Sequence, residues 1–352
     1  MKTTIKTIAQ KCNVSPVTVS RVIANNPSVN EKTRQFILDT MKELDYRPQK
    51  VEALTERQRA RMIVMVMEDI TRNANAIVRA AANYLRENGY LSIFCETGAK
   101  AAYFDEYLTA LIERGVVDGC IVITSLAART ELARIAEKHR QLPLVAVHWC
   151  EAWSKVDSVI LDSYHGSICG VNFLADMGHR YIALVNAPPE ASGSYEERMG
   201  YLDTMHRRGL PADEKYILSG NLEKSGGVQA ARKLLSEMPE VTAVLSSNYA
   251  MARGIVDELA AAGKRVPEDI SVVPFGIFQS GEDQRDFTAV GASYVDAGII
   301  AARIVLERIQ EIKEHQIQFN TVKKVVLEPE VFLGTSAQPP AKAYVPQLER
   351  KR

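Results

Sequence analysis

Residues 4–48 read TIKTIAQKCNVSPVTVSRVIANNPSVNEKTRQFILDTMKELDYRP, and helical spacing divides them into three short segments. Thr4 can cap a first helix that carries Ile5, Ile8 and Ala9 on one face, and a turn at Asn13-Val14 ends it. Ser15 caps a second helix with Pro16 at its first position, where the missing N–H costs nothing. A third helix begins after Asn30 and sets Phe36, Ile37, Met41 and Leu44 on one face, with Tyr46 just beyond. Two short helices joined by a tight turn, with a third beneath them, describe a helix-turn-helix.

In that geometry the second helix enters the DNA major groove with its N-terminal residues facing base edges. Pro16, Val17, Thr18, Ser20 and Arg21 are then in reach of DNA, while Val19, Val22 and Ile23 pack inward. Arg21 can fork onto the two major-groove acceptors of guanine or hold a phosphate, and Pro16 and Val17 offer apolar contact, for example to a thymine methyl. Ser15, Thr18, Ser20, Asn30 and Thr33 are short groups suited to phosphate oxygens, which position a protein without reading sequence. For Ser15 and Asn30 a helix-cap role reads equally well, and both roles hold if a phosphate sits at the helix N-terminus. Thr4, Asn25 and Ser28 complete the expected contacts.

Charge supports a polyanionic partner once it is divided. The 352 residues hold 43 Lys and Arg against 43 Asp and Glu, a formal charge of zero. Residues 1–61 carry +6 and the remaining 291 carry −6. A basic head on an acidic body is the asymmetry expected when one end meets nucleic acid; a solvated basic face is the alternative that charge alone leaves open. The apolar fraction of 46% is ordinary for globular domains, and the length is a prior for two or three of them. The five cysteines form no CxxC pair, so neither a disulfide framework nor a zinc site is indicated. The opening KTTIKTIAQK lacks the apolar core of a signal peptide, and no stretch approaches 18 apolar residues. A soluble, cytoplasmic chain is expected, with no metal or cofactor.

From Thr4 to Pro48 the sequence resembles, without a gap, the DNA-binding headpiece of the lactose/galactose repressor family. It departs from the family at Thr7 (Asp in the family), Asn13 (Gly) and Ala24 (Asn). The resemblance implies a hinge helix after the headpiece that folds on DNA and wedges a Leu from each subunit into the minor groove. Here Pro48 is followed by QKVEALTER; the family's Leu position holds Thr55, so Leu54 is the nearest wedge, and Glu52 stands where the family usually has Ala. The basic run Arg57 to Arg61 can compensate electrostatically or serve as a solvated linker.

From Met62 onward short apolar runs alternate with amphipathic stretches. Strands are expected at 62–67, 91–95, 119–123, 142–147, 181–185, 215–218, 241–246 and 270–275, and helices at 75–88, 103–115, 129–140, 194–208, 225–237 and 249–263. Near-continuous apolar strands alternating with helices indicate parallel sheets covered on both faces. The rhythm fills two such lobes, joined around Asp157–Asp162. The expected organisation is a small all-α helix-turn-helix headpiece (1–47), a hinge or linker (48–61) and a two-lobed α/β domain with parallel sheets (62–336). Its first lobe takes about 62–160 plus 291–323, its second about 161–290 plus 324–336, and 337–352 form a disordered tail.

This body matches the family's effector domain, which is similar to periplasmic sugar-binding proteins, through VDSVILDSYHG (156–166), LADMGHRYIALV (174–185), Arg198–Tyr201, SSNYAMARG (246–254), VPEDISVV (266–273) and LEPEVFLGTS (327–336). The resemblance implies that the chain crosses between lobes three times and that a small molecule binds outside the carboxyl ends of the strands. It places Arg198 on the effector. Asn248 matches a family Asn but is followed by Tyr249 in place of an Asp, and Gly276 stands where the family has a second Asp. Asn73 lies in a stretch that has lost the family's aromatic cover, which Trp149 and Tyr249 can replace by stacking. A pocket with an arginine and without those two carboxylates suits an anionic or partly aromatic ligand; a neutral sugar held by other polar groups is the alternative.

No P-loop, GxGxxG, GxSxG or HExxH string occurs and the six histidines are scattered, so an enzyme is not expected. The resemblance implies a homodimer on a pseudo-palindromic operator, with Ile77, Val78, Ala81, Ala82 and Leu85 as its face unless they fill an intramolecular core. The expected function is transcriptional regulation, most simply repression, with operator affinity controlled by an effector. The alternatives are a solute-binding protein and a constitutive DNA binder whose pocket does not signal.

Overall fold

The computed structural model describes residues 5–23, 29–44, 61–67, 72–97, 101–123, 129–139, 142–147, 155–191, 193–277, 286–315 and 321–341. The chain divides into two units, Met1–Arg59 and Ala60–Arg352.

In the first unit, α1 (Ile5–Lys11), α2 (Pro16–Ile23) and α3 (Glu31–Glu43) enclose a core of Ile8, Ala9, Cys12, Val19, Val22, Ile37 and Met41. The turn between α1 and α2 puts Asn13 at φ 52°, a left-handed conformation that Asn tolerates. Ser15 Oγ accepts from Thr18 N at 3.1 Å, and Asn30 Oδ1 accepts from Thr33 N at 2.8 Å, so both residues act as N-caps. The buried face of α3 is Ile37, Thr40 and Met41. Phe36, expected on that face, is 56% exposed because it precedes Ile37 by one residue and is rotated about 100° from it.

The second unit holds two six-stranded sheets. The first has the order β11-β5-β4-β3-β1-β2, all parallel, with β1 (Met62–Met67), β2 (Leu91–Glu96), β3 (Gly119–Ile123), β4 (Leu144–Val147), β5 (Asp157–Leu161) and β11 (Lys324–Leu327). The second has the order β12-β10-β9-β8-β6-β7, with β6 (Ile182–Asn186), β7 (Ile217–Ser219), β8 (Ala243–Ser246), β9 (Ser271–Ile277), β10 (Ala289–Ser293) and β12 (Glu330–Phe332). Among the described residues its single antiparallel pair is β10 with β12.

Alternation along β1 shows why helices are needed on both faces. Ile63, Met65 and Met67 point into one core with Ile77, Ala81 and Leu85 of α4 (Arg72–Glu87) and Ala297, Ala301 and Val305 of α11 (Tyr294–His315). Val64 and Val66 point into the other with Leu108 of α5 (Ala101–Glu113) and Leu132 and Ile135 of α6 (Arg129–Lys138). The second sheet repeats the plan. There α7 (Ser163–Asp176) and α8 (Ser194–Arg207) cover one face, and α9 (Lys224–Glu237) and α10 (Tyr249–Ala261) the other.

Three expectations need correction. Ile77, Ala81 and Leu85 are buried against α11, where a Cβ on Gly298 would stand 2.3 Å from Ile77 O, so they fill an intramolecular core and are not a dimer face. Residues 324–327 join the first sheet, and only 330–332 join the second. The reason is local. Lys323 N donates to Asp157 Oδ1 at 2.7 Å and Arg308 Nη2 donates to Thr321 O at 2.7 Å, which seats the chain beside β5 before Pro329 turns it away. The expected disordered tail from Ala337 onward is, with Ser336 before it, fastened as far as Gln338. Val272 N donates to Ser336 O at 2.9 Å, and Gln338 exchanges hydrogen bonds with Ser271 Oγ at 3.1 Å in both directions.

A buried ion pair ties α11 to the start of β5. Arg308 Nε and Nη2 donate to the two oxygens of Asp157 at 2.6 and 2.8 Å, with side-chain exposures of 3% and 9%. Removing Arg308 leaves the Asp157 carboxylate buried without its counter-charge, with Lys323 N still donating to it. Arg308→Ala is therefore expected to destabilise the second unit by about 3–5 kcal/mol, read as a lower urea midpoint, and adding Asp157→Asn should recover part of that loss. Truncation after Gly334 removes six hydrogen bonds made by Ser336 and Gln338 and, at about 1 kcal/mol for each lost bond, is expected to cost on the order of 6 kcal/mol. Truncation after Ala341 should leave the midpoint unchanged.

Candidate functional site

The first unit presents the N-terminal turn of α2 to solvent. Ser15, Pro16 and Arg21 are exposed, Val17 is 58% exposed and Thr18 is half-buried, while Val19 and Val22 anchor the helix in the core. Ser15 Oγ lies 2.9 Å from Thr18 Oγ1 as well as capping Thr18 N, so both hydroxyls are gathered at one helix end. Ser20 belongs to α2, and Asn30 and Thr33 form the cap of α3. Thr4, Asn25 and Ser28 lie outside the described residues, as does Leu54 with the rest of the expected hinge up to residue 60.

In the second unit a pocket of about 580 Å³, including its open mouth, lies between the lobes. Its walls come from the carboxyl ends of strands and the segments next to them in the chain. Leu161, Asp162 and Ser163 lie where β5 passes into α7, and Ala187 and Ala191 come after β6. Ser247 and Asn248 come after β8, Phe275 and Gly276 lie on β9, and Ala292 and Tyr294 lie where β10 passes into α11. Glu197 of α8 and Leu222 complete the described lining.

The structure distributes the expected effector residues unevenly. Asn248 lines the pocket, and its amide is also committed as a cap: Oδ1 accepts from Met251 N at 2.8 Å and Nδ2 donates to Leu222 O at 2.6 Å. Gly276 also lines it, at φ +100°, where a Cβ would stand 2.4 Å from the Tyr294 ring and hydroxyl. Glycine is required there because Tyr294 occupies the side-chain space. Tyr249 is 5% exposed in the second-lobe core, edge-on to Phe287 at 4.9 Å. Arg198 is absent from the lining and pairs with Glu214. Asn73 falls in the first turn of α4, but its side chain, like the whole of Trp149, lies outside the described residues.

Glu197, which sequence reading passed over, takes the place expected of Arg198. It is 5% exposed and lines the pocket, and its Oε2 accepts a short hydrogen bond from Ser247 Oγ. Ser247 in turn accepts from Ala187 N at 2.8 Å. Burial pushes the Glu197 carboxyl up to about 8; the Ser247 bond opposes this and the neighbouring Glu196 adds to it. Burial also raises the Tyr294 phenol, and the Glu197 carboxyl reinforces that shift. The buried face of α8 runs Ser194, Glu197, Gly200, Tyr201 and Thr204. A Cβ on Gly200 would stand 2.3 Å from Tyr164 O, so this face is pressed against α7. The signal was present in the sequence. Gly200 and Tyr201 mark the inward face, Glu197 lies one turn before them, and Arg198 is about 100° away.

The described lining thus has Glu197 and Asp162 and no Lys or Arg. This is the opposite balance to the anion-accepting pocket expected from Arg198, and that expectation lapses with the placement of Arg198.

Comparison with known proteins agrees with both units. Residues 4–49 match the family model "Bacterial regulatory proteins, lacI family", and residues 71–326 match "Periplasmic binding proteins and sugar binding domain of LacI family". The transcriptional repressor PurR of Vibrio vulnificus is 31% identical over 317 residues, covering 89% of this chain and 93% of the relative. A LacI family regulator from Enterococcus faecium, solved with bound ribose, is 25% identical with a TM-score of 0.66 over 79% of this chain and 99% of that one. The Lac repressor dimer bound to operator and an anti-inducer shares the fold at 21% identity and a TM-score of 0.68, over 96% and 100% of the two chains. The headpiece match and the match of the two-lobed body occur in one chain, and this protein belongs to the LacI family of DNA-binding transcriptional regulators.

Proposed function

We propose that the protein is a cytoplasmic homodimeric repressor that reads a pseudo-palindromic operator with the first turn of α2 and alters its operator affinity when a small molecule occupies the cleft. The observation that carries the first half is the outward turn Ser15–Thr18 with Arg21 one turn on, held by the inward Val19 and Val22. Arg21 supplies a guanidinium for a guanine edge or a phosphate, Pro16 and Val17 supply apolar contact, and the capped ends of α2 and α3 offer backbone donors to phosphates. The operator-bound Lac repressor and the ribose-bound relative support this assignment of the two units. The reading contains no catalytic step. Among the described residues no helix is long and apolar enough to cross a membrane.

The second half rests on where the cleft lies. The chain passes between the sheets after β5, after β10 and between β11 and β12. The first two passages, Leu161–Ser163 and Ala292–Tyr294, supply lining residues. A ligand seated there touches the segments about which the lobes can rotate. It shifts the lobe arrangement by as much as its affinity differs between the two arrangements, and operator affinity changes reciprocally.

Fluorescence anisotropy on a palindromic duplex selected from genomic fragments tests the DNA half. The wild-type chain should bind with an affinity that falls steeply with salt. Arg21→Ala is expected to weaken binding about 10- to 100-fold, with relaxed discrimination at one base pair if Arg21 reads guanine, or a shallower salt slope if it holds a phosphate. Equal binding by Arg21→Ala removes α2 from the interface. Failure of the wild-type chain to prefer any duplex favours a solute-binding protein instead.

A further inference from the structure

Resting on the assignment of the cleft as the effector site, we propose that the effector is a small polar molecule carrying a nitrogen cation, an ammonium or guanidinium, and that Glu197 receives it. Glu197 is 5% exposed, yet among the described residues its only side-chain hydrogen bond is the one from Ser247 to Oε2. Its other oxygen has no hydrogen-bond partner among them and is not among the fully buried atoms, so it opens onto the cleft that the residue lines. A carboxyl held in a mostly buried position with one oxygen open to a cleft presents an acceptor to a donor on the ligand.

The surroundings favour a positive ligand. Asp162 also lines the pocket, and Glu196 adjoins Glu197 on α8 with its Oε2 buried and, among the described residues, without a hydrogen-bond partner. Among the described lining residues no Lys or Arg balances these acids. Arg198, one residue beyond Glu197, is neutralised by Glu214. Low-dielectric walls concentrate the field of such groups, so a cation gains more here than it would at an exposed carboxylate. An anion would meet Glu197 directly, and a neutral polyol would leave the acids unbalanced.

Binding is then coupled to a proton. The groups around Glu197 are Glu196 on its own helix, Ser247 before α10, Tyr294 from α11, and, also in the pocket lining, Asp162 with its partner His165. Burial raises the carboxyl to about 8, so at pH 6 the unliganded site holds a proton that a cationic ligand must displace. Affinity for a permanent cation therefore rises as pH is raised from 6 to 8, by about tenfold or more. A neutral ligand bonded to the protonated acid would show no such rise.

Calorimetry on the full chain at pH 8 tests the proposal with glucosamine, spermidine and agmatine as cations, glucose and ribose as neutral probes, and glucose 6-phosphate and glucuronate as anions. Binding confined to cationic probes, weakened at least tenfold by Glu197→Gln, supports the proposal. So does a rise in wild-type affinity for agmatine from pH 6 to pH 8, which needs no variant. Binding confined to neutral or anionic probes, no binding across the panel, a flat pH profile, or a Glu197→Gln variant of native circular dichroism with unchanged affinity overturns it. Salt-dependent operator binding by the wild-type chain without any probe separates this outcome from failure of the regulator reading.

Discussion

The second unit is governed by one constraint: its chain leaves a sheet buried on both faces, enters another, and must satisfy the backbone groups at each passage. At the first passage Asp162 caps α7, its Oδ1 accepting from His165 N at 3.0 Å while Oδ2 lies 2.8 Å from His165 Nδ1. At the second, Ser293 Oγ accepts from Asp296 N at 3.1 Å as β10 gives way to α11. At the third, Pro329 stands between β11 and β12 and donates no hydrogen bond that the turn would have to satisfy. The same passages bring strand ends and helix starts of both lobes to one cleft. The binding site is a consequence of how the sheets are connected, as expected for ligands at the carboxyl ends of parallel strands.

Much of this architecture was legible in the sequence because the signals were periodic. The alternation of β1, with Ile63, Met65 and Met67 against Val64 and Val66, cannot be satisfied by a sheet with a wet face. The strand at 119–123 and the helix at 225–237 were readable to within a residue. The features that escaped were decided by tertiary partners. Lys324–Leu327 alternates in burial as an edge strand of either sheet would, and its membership is fixed by Arg308 and Asp157, which lie 16 and 167 positions away in the chain. Residues 337 and 338 look like the start of a polar, proline-rich tail, and Ser336 precedes them. They are ordered by Ser271 and Val272 of β9, a long-range pairing that composition does not reveal.

The site was legible by position and less so by chemistry. Asn248 and Gly276 line the cleft, and both also have structural reasons to be there, a cap on α10 and room for Tyr294. Arg198 and Glu197 show how one residue of register on a helix changes the inferred chemistry. A rotation of about 100° exchanges a guanidinium for a carboxyl, and with it the sign of the ligand the pocket suits. The face was already marked by Gly200, which alone lets α8 approach Tyr164. Backbone proximity is a stricter guide to register than the presence of a functional residue type, because a Cβ placed 2.3 Å from a carbonyl oxygen admits no alternative side chain.

Charge in this protein acts at two scales that composition merges. The +6 of residues 1–61 and the −6 of the remainder are mostly surface charges, screened beyond about 8 Å at physiological ionic strength. They bias which end of the molecule approaches DNA and decide little about any single contact. Glu197 is one acid among those counted, yet it is withdrawn from water, and burial raises its carboxyl to about 8, so it carries its charge, weakly screened, only once the proton is lost. Salt therefore discriminates between them: added ions weaken the headpiece's hold on phosphates, while the field inside the cleft persists. With a cationic effector as proposed, operator binding and effector binding draw on the same elementary interaction, and burial keeps their responses to the medium apart.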